Sequence, residues 1–303
     1  MPNVSKLREI GSIALESGRD FFDENPFQLA AALSYYTLLS IAPLLLVLTG
    51  AAGLLLSEEQ VREALVAQVR ELVGDEGASL FRTVAQNARE AHSGAVSMTV
   101  GFVLMLLGAT TVFAQLQAAL NRIWQVKATP SNAVLGFLRA RLVSLAVVLG
   151  LAFLLLVSLV FSAAVSGLQN YIESFLPGAA MVWITLNNTL SLALVAALLA
   201  MLFRYVPDVE ISWGDTVIGA VVTAVLLTLG KHAIGLYLGR ASVGSAYGAA
   251  GSAVVFMVWV YFASLILFLG AMITKVIARH RGTPLVPSKH ATPLYNLPEQ
   301  AAD

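Results

Sequence analysis

The chain has 303 residues, of which 58% are hydrophobic and only 12% charged, and its formal net charge is zero. A soluble domain carries about 25% charged residues, so the shortage places the chain in the membrane class. Neutrality without a basic stripe argues against a nucleic-acid partner. The absence of cysteine excludes disulfides, thiolate metal sites and cysteine nucleophiles.

Residues 1–28 are polar but patterned. Leu7, Ile10, Ala14 and Phe21 recur near helical spacing, which predicts an amphipathic helix lying on the membrane surface before the first span. Acidic Asp20, Asp23 and Glu24 precede the first apolar run, which starts too late for a signal peptide. From Leu29 to Leu56 no charge occurs for 28 positions. A bilayer core needs roughly 20 apolar helical residues, so this stretch can span it. Tyr36, Ser40 and Pro43 stand at i, i+4 and i+7 and share one helical face. Pro43 has no N–H, so the Leu39 carbonyl loses its usual partner and a kink is expected. In hydrocarbon that carbonyl needs a donor from the protein, which turns the face toward other helices or a cavity.

Ser57–Gly94 is the longest polar stretch, with seven acidic residues and four arginines. Ser57 and Gln60 have the spacing of a capping box. Two apolar faces, Val61–Leu72 and Leu80–Ala88, interrupted at Gly74 and Gly77, predict an amphipathic helical hairpin. It reads as a cap on the span ends, with a gate over a substrate path as the alternative. Five further spans are predicted at Ala95–Leu116, Leu142–Val165, Met181–Phe203, Val217–Leu238 and Ala253–Lys275, making six. Twelve Lys and Arg residues fall on one side and five on the other, which makes both termini cytoplasmic and the hairpin external. The predicted fold class is therefore an all-α integral membrane protein, with a membrane domain at 29–281. Residues 282–303, with Pro284, Pro287 and Pro298 among polar neighbours, read as a flexible cytoplasmic tail.

Four segments carry a resemblance. AAALSYYTLLSIAPLL at Ala30–Leu45, ALNRIW at Ala119–Trp124, RYVPDVEISWGDTVIGAVVTAVLLTLGK at Arg204–Lys231 and YGAAGSAVVFMVWVYFASLILFLGA at Tyr247–Ala271 together resemble the YihY/BrkB family of bacterial inner-membrane proteins. The resemblance implies a six-helix protein of the bacterial cytoplasmic membrane. Members of that family have been named ribonuclease BN and associated with serum resistance and envelope-lipid phenotypes. Many carry a glutamate after the Gly-Ala that ends the last span; here that place is Met272, so no acidic role is carried over to it.

A nuclease would need clustered carboxylates or histidines to hold metal and activate water. His92, His232, His280 and His290 are scattered without metal-ligand spacing. Asp208, Glu210 and Asp215 cluster in a short loop, where Asp215 suits the positive end of the fifth span. No enzymatic activity, metal or cofactor is expected. Lys231 lies within the fifth span next to His232, and an ionisable residue in a span is a functional candidate. It can snorkel to the headgroups, bind a phosphate-bearing headgroup, or form a proton-coupled site with His232. Asn187 and Asn188, with Thr189 and Ser191, form a polar patch suited to interhelical hydrogen bonds or a cavity lining. Gly235 with Gly239 and Gly244 with Gly248 form two GxxxG spacings, which predict a tight turn with close helix packing, or a hinge. Arg139, Arg141, Lys275, Arg279 and Arg281 ring the inner span ends and should attract anionic headgroups. These features suggest a transporter or flippase for an amphipathic envelope component, a lipid or lipid-linked sugar. Its candidate substrate-facing residues are Tyr36, Ser40, Pro43, Asn187, Asn188, Lys231 and His232. The alternative is a scaffold that holds an envelope protein or a second copy of the chain, with membrane lipids as partners in either case.

Overall fold

The computed structural model describes residues 2–52, 78–83, 111–129, 180–241, 250–288 and 290–294, with single positions 63, 66, 70 and 247. Helix α1 (Pro2–Asp23) is followed almost at once by α2 (Pro26–Ala52). Asn25 makes the turn with a φ of 51°, a left-handed conformation that Asn tolerates better than most residues. Pro26 then fits the first position of α2, where an N–H would have no helical partner. α2 runs through Pro43 as one continuous helix.

Helix α3, described over 111–123, closes in a turn at Trp124 and Gln125, with Gln125 at a φ of 55°. Strand β1 (Val126–Ala128) follows. Helix α4 (Ala180–Tyr205) and helix α5 (Trp213–Ala241) flank the short strand β2 (Val209–Glu210). Helix α6 (Gly251–His280) leads to strands β3 (Val286–Pro287) and β4 (Ala291–Pro293). Three described stretches are long and apolar enough to cross a membrane: Asn188–Tyr205, Trp213–Tyr237 and Gly251–His280. The expected first, fourth, fifth and sixth spans fall on α2, α4, α5 and α6. Only the end of the second span, in α3, is described; the third lies outside the described residues, as does most of the Ser57–Gly94 hairpin. Within that hairpin, helical residues 78–83 bury Ala78 and Phe81.

α6 is the hub, packing against α1, α2 and α5, while α4 packs on α5. Ala30 and Leu33 of α2, Leu120 and Ile123 of α3, Phe203 of α4, Ala220 and Ala224 of α5, and Phe268 and Met272 of α6 share one buried core. Met272 is fully buried there. α5 and α6 meet through a reciprocal pairing. A Cβ on Gly219 would lie 1.8 Å from Thr274 Oγ1, and one on Gly270 would lie 1.9 Å from Thr223 Oγ1. Each threonine also donates to the carbonyl of the glycine one turn earlier in its own helix, Thr223 to Gly219 at 2.6 Å and Thr274 to Gly270 at 2.8 Å. The hydroxyl is thereby satisfied within its helix, and its oxygen, with the threonine Cβ and methyl behind it, occupies the space left by the missing Cβ opposite. Small residues in this role let helix backbones approach closely. The close approach does not occur at Gly235, where an added Cβ would meet nothing within 4 Å. Gly244 and Gly248 lie outside the described residues.

Residues 282–288 and 290–294, in the stretch expected as a flexible tail, fold back in short strands. Arg281 ends α6, and Gly282 takes a φ of 66°. Gly282 N–H donates to Arg279 O at 3.1 Å, and Thr283 N–H to Ala278 O at 2.9 Å. These two bonds form a Schellman motif, which reverses the chain after a helix. β3 then pairs antiparallel with β2, Val209 opposite Pro287, and β4 pairs antiparallel with β1, Lys127 opposite Thr292. The fold is helical with two short ribbons at one end, and those ribbons are made by the segment after the last span.

Candidate functional site

The polar groups gather where α1, the start of α2, the end of α3, the α4–α5 loop and the end of α6 meet. α1 presents Glu16 and Asp20 along one side, and Glu24 follows four residues on, in the turn just after the helix. α6 presents Lys275 and Arg279 with the same spacing. Arg279 Nη1 is 2.5 Å from Glu16 Oε1, and its Nη2 is 3.5 Å from Asp20 Oδ2. His280 Nε2 lies 2.8 Å from Glu16 Oε2. Lys275 Nζ reaches Asp20 Oδ2 at 3.8 Å, with its side chain only 3% exposed. Partner numbers fall along α6 as they rise along α1, so the two helices run antiparallel.

The Glu16 carboxyl is held below its usual pKa. The hydrogen bond with His280 is the largest influence, burial opposes it, and Arg279 adds to it. Deeper in, Ser17 Oγ and Asp20 Oδ2 are buried with no hydrogen-bond partner among the described residues. A buried ammonium faced by a carboxylate at ion-pair rather than hydrogen-bond distance is an expensive arrangement. It lies at the inner edge of the α1–α6 contact.

Asp208 organises the other half of this end. Its Oδ2 accepts from Asn121 Nδ2 at 2.8 Å and from Gln117 Nε2 at 3.3 Å. Its backbone N–H donates to Asn121 Oδ1 at 2.8 Å, and its carbonyl accepts from Ser288 N–H at 3.0 Å. One aspartate thus ties α3, the α4–α5 loop and the tail together. Nearby, Glu24 takes Arg122 at 3.5 Å and Gln125 at 3.3 Å. Asp215 sits in the first turn of α5, buried, with Arg281 Nη1 3.2 Å from Oδ1. Among the described residues no three of His, Asp and Glu converge in a way that would hold a metal ion.

The sequence-predicted residues fall elsewhere. Ser40 is buried and Tyr36 half-buried on α2, while Tyr35 and Leu39 on another face are exposed. Pro43 lies within α2, but its surroundings fall outside the described residues, as do those of Asn187 on α4. Asn188 is exposed on α4. On α5, Lys231 is half-buried and His232 exposed, with His232 Nδ1 2.7 Å from the carbonyl of Thr228 in its own helix. Lys275, Arg279 and Arg281, expected to face headgroups, are instead paired with carboxylates. The sequence does not mark Glu16, Asp20 or Asn121 as site residues. The matching i, i+4 charges at 16 and 20 and at 275 and 279 were the available signal.

Comparison with known proteins adds the family. A family profile described as virulence factor BrkB matches residues 19–294. A UPF0761 membrane protein of Stenotrophomonas maltophilia is 26% identical over 275 residues, covering 88% of this chain and 60% of its own. One of Alcanivorax borkumensis is 26% identical over 300 residues, covering 96% and 66%. One of Rhodospirillum centenum is 31% identical over 279 residues, covering 86% and 56%. The chain therefore spans about 60% of the length of the first of these relatives. No solved structure matches. The profile runs from beside Asp20 to the end of the second ribbon, so it includes the tail as well as the helices. The polar end and the helices that carry it are thus parts of one matched unit, and the chain belongs to the BrkB family of membrane proteins.

Proposed function

We propose that this membrane protein is a transporter or flippase of an amphipathic envelope component, a lipid or lipid-linked sugar, in the bacterial cytoplasmic membrane. In this reading it has six spans, and the polar end faces the cytoplasm. The observation that carries the proposal is Lys275, an ammonium buried at the polar end of α6 and faced by Asp20 from α1. Buried ionisable groups in membrane helices are costly and tend to mark working pathways. α1 meets α6 through ion pairs at Glu16 and Asp20, contacts that can be exchanged for others. α1 then acts as a gate at the cytoplasmic end, with its exposed Leu15 and Phe22 on the membrane surface. The buried Ser40 and half-buried Tyr36 on α2 supply a polar internal face.

Purified protein in liposomes, assayed for movement of labelled envelope lipids between leaflets, tests this directly. The native chain should move at least one lipid class. A Lys275→Met/Asp20→Asn variant should fold, because both charges are removed together and neither is left buried without its partner, yet move none. Absence of movement with every envelope lipid would end the reading in favour of a scaffold. Retained movement in the double variant would remove the gate.

A further inference from the structure

One arginine in the last turn of α4 stands outside the ion pairs at the polar end. Arg122, Arg279 and Arg281 each hold a carboxylate. Arg204, in the last turn of α4, has no acidic partner among the described residues. Its guanidinium carbon lies 5.7 Å from the centre of the Trp213 ring. Tyr205 packs edge-on against the same indole at 6.1 Å. Tyr205 is 58% exposed and Trp213 49% exposed. These residues close the two stretches able to cross a membrane, Asn188–Tyr205 and Trp213–Tyr237. Tyr and Trp at span ends belong at the headgroup level. From Trp213 the exposed row continues through Val217, Val221, Val225 and Leu229, one residue per turn along α5. It is apolar throughout and leads into the hydrocarbon.

We infer that Arg204, Tyr205, Trp213 and the valine row of α5 form a binding site for a phospholipid with an anionic headgroup in the leaflet at the polar end. Arg204 pairs with the headgroup's charge, and the indole keeps the guanidinium in place through a cation–π contact. The valine row lies against the acyl chain. Charge complementarity selects the occupant. A guanidinium without an acidic partner among the described residues, beside exposed aromatics at the edge of a lipid-facing row, is matched better by an anionic lipid than by a zwitterionic one, whose own cation offsets its phosphate. The site is separate from the α1–α6 ion pairs and does not depend on transport.

The test uses the full chain in vesicles of phosphatidylcholine containing either brominated phosphatidylglycerol or brominated phosphatidylcholine. Bromine quenches indole fluorescence on contact, and the difference between the native chain and Trp213→Phe isolates Trp213. The Trp213 signal should favour the anionic lipid by about fivefold, the scale of one cation near a membrane surface. Arg204→Gln should bring that preference close to one, and Arg204→Lys should keep most of it. In the native chain, added salt should lower the preference, a readout that needs no variant to fold. Equal quenching by both lipids in the native chain overturns the inference, as does a preference that survives Arg204→Gln. Absence of quenching by either lipid would show the row covered by protein and overturn it as well.

Discussion

At the scale of single residues, Asp208 and Asn121 do most to fix the polar end. Asn121 gives both a donor and an acceptor to Asp208, so Asn121→Ala leaves a carboxylate oxygen and a backbone N–H short of partners. Leaving a buried polar group unpaired costs about 1–3 kcal/mol, and thermal melts of the detergent-purified protein should show that loss. Asn121→Asp should be worse, because two carboxylates would then face each other. Gly282→Ala should cost about 1–2 kcal/mol, because alanine resists the left-handed conformation found there. Glu16 makes stability depend on pH. Its carboxyl pKa is lowered, so its contribution is complete above the ordinary value of 4.5 and is lost as pH falls through the lowered one. Glu16→Gln should flatten that acid-side decline in a series of melts. Asn121 and Asp208 both lie in segments that carried the family resemblance, but their meeting was not legible. The residues stand 87 positions apart, and nothing in either segment names its partner.

Helices were the most legible level, for a physical reason. An uncharged apolar run of sufficient length has few alternatives to a membrane helix, and α4, α5 and α6 lie where such runs placed them. Pairing between helices was less legible. The GxxxG spacing at Gly235 drew attention, yet the tight contact is a Gly-x-x-x-Thr spacing used twice, at Gly219–Thr223 and Gly270–Thr274. Composition alone cannot tell a glycine that faces a threonine from one that faces open space. The contrast gives a paired prediction. Gly270→Leu should drive atoms into Thr223 and destabilise the α5–α6 contact by about 1–3 kcal/mol or more. Gly235→Ala meets no neighbour, and should be neutral or stabilising by up to about 1 kcal/mol through helix propensity. The α1–α6 contact was half legible. An acidic row at 16, 20 and 24 and a basic row at 275 and 279 are visible in the sequence, but the usual reading of basic residues at a span end is topology.

At the scale of the whole molecule, the two ribbons tie together parts of the chain that the helices leave separate. Neither could be read from periodicity, because strands of two or three residues show no alternation and the prolines in 284–293 argue against strands. Removing residues 283–303 should leave the helices in place and loosen the loops that the ribbons hold. Amide hydrogen exchange should rise at 126–129 and 206–211, with little change within α4 and α6. The order of the strands along the chain also bears on biosynthesis. A membrane protein is threaded into the bilayer from its amino terminus, so β1 and β2 emerge long before β3 and β4 exist. Every described helix can be inserted while both loops still lack their partners. Closure of the polar end is then the final act of assembly, and a nascent chain halted after α6 would be inserted but unfinished, with its loops open to a quality-control protease.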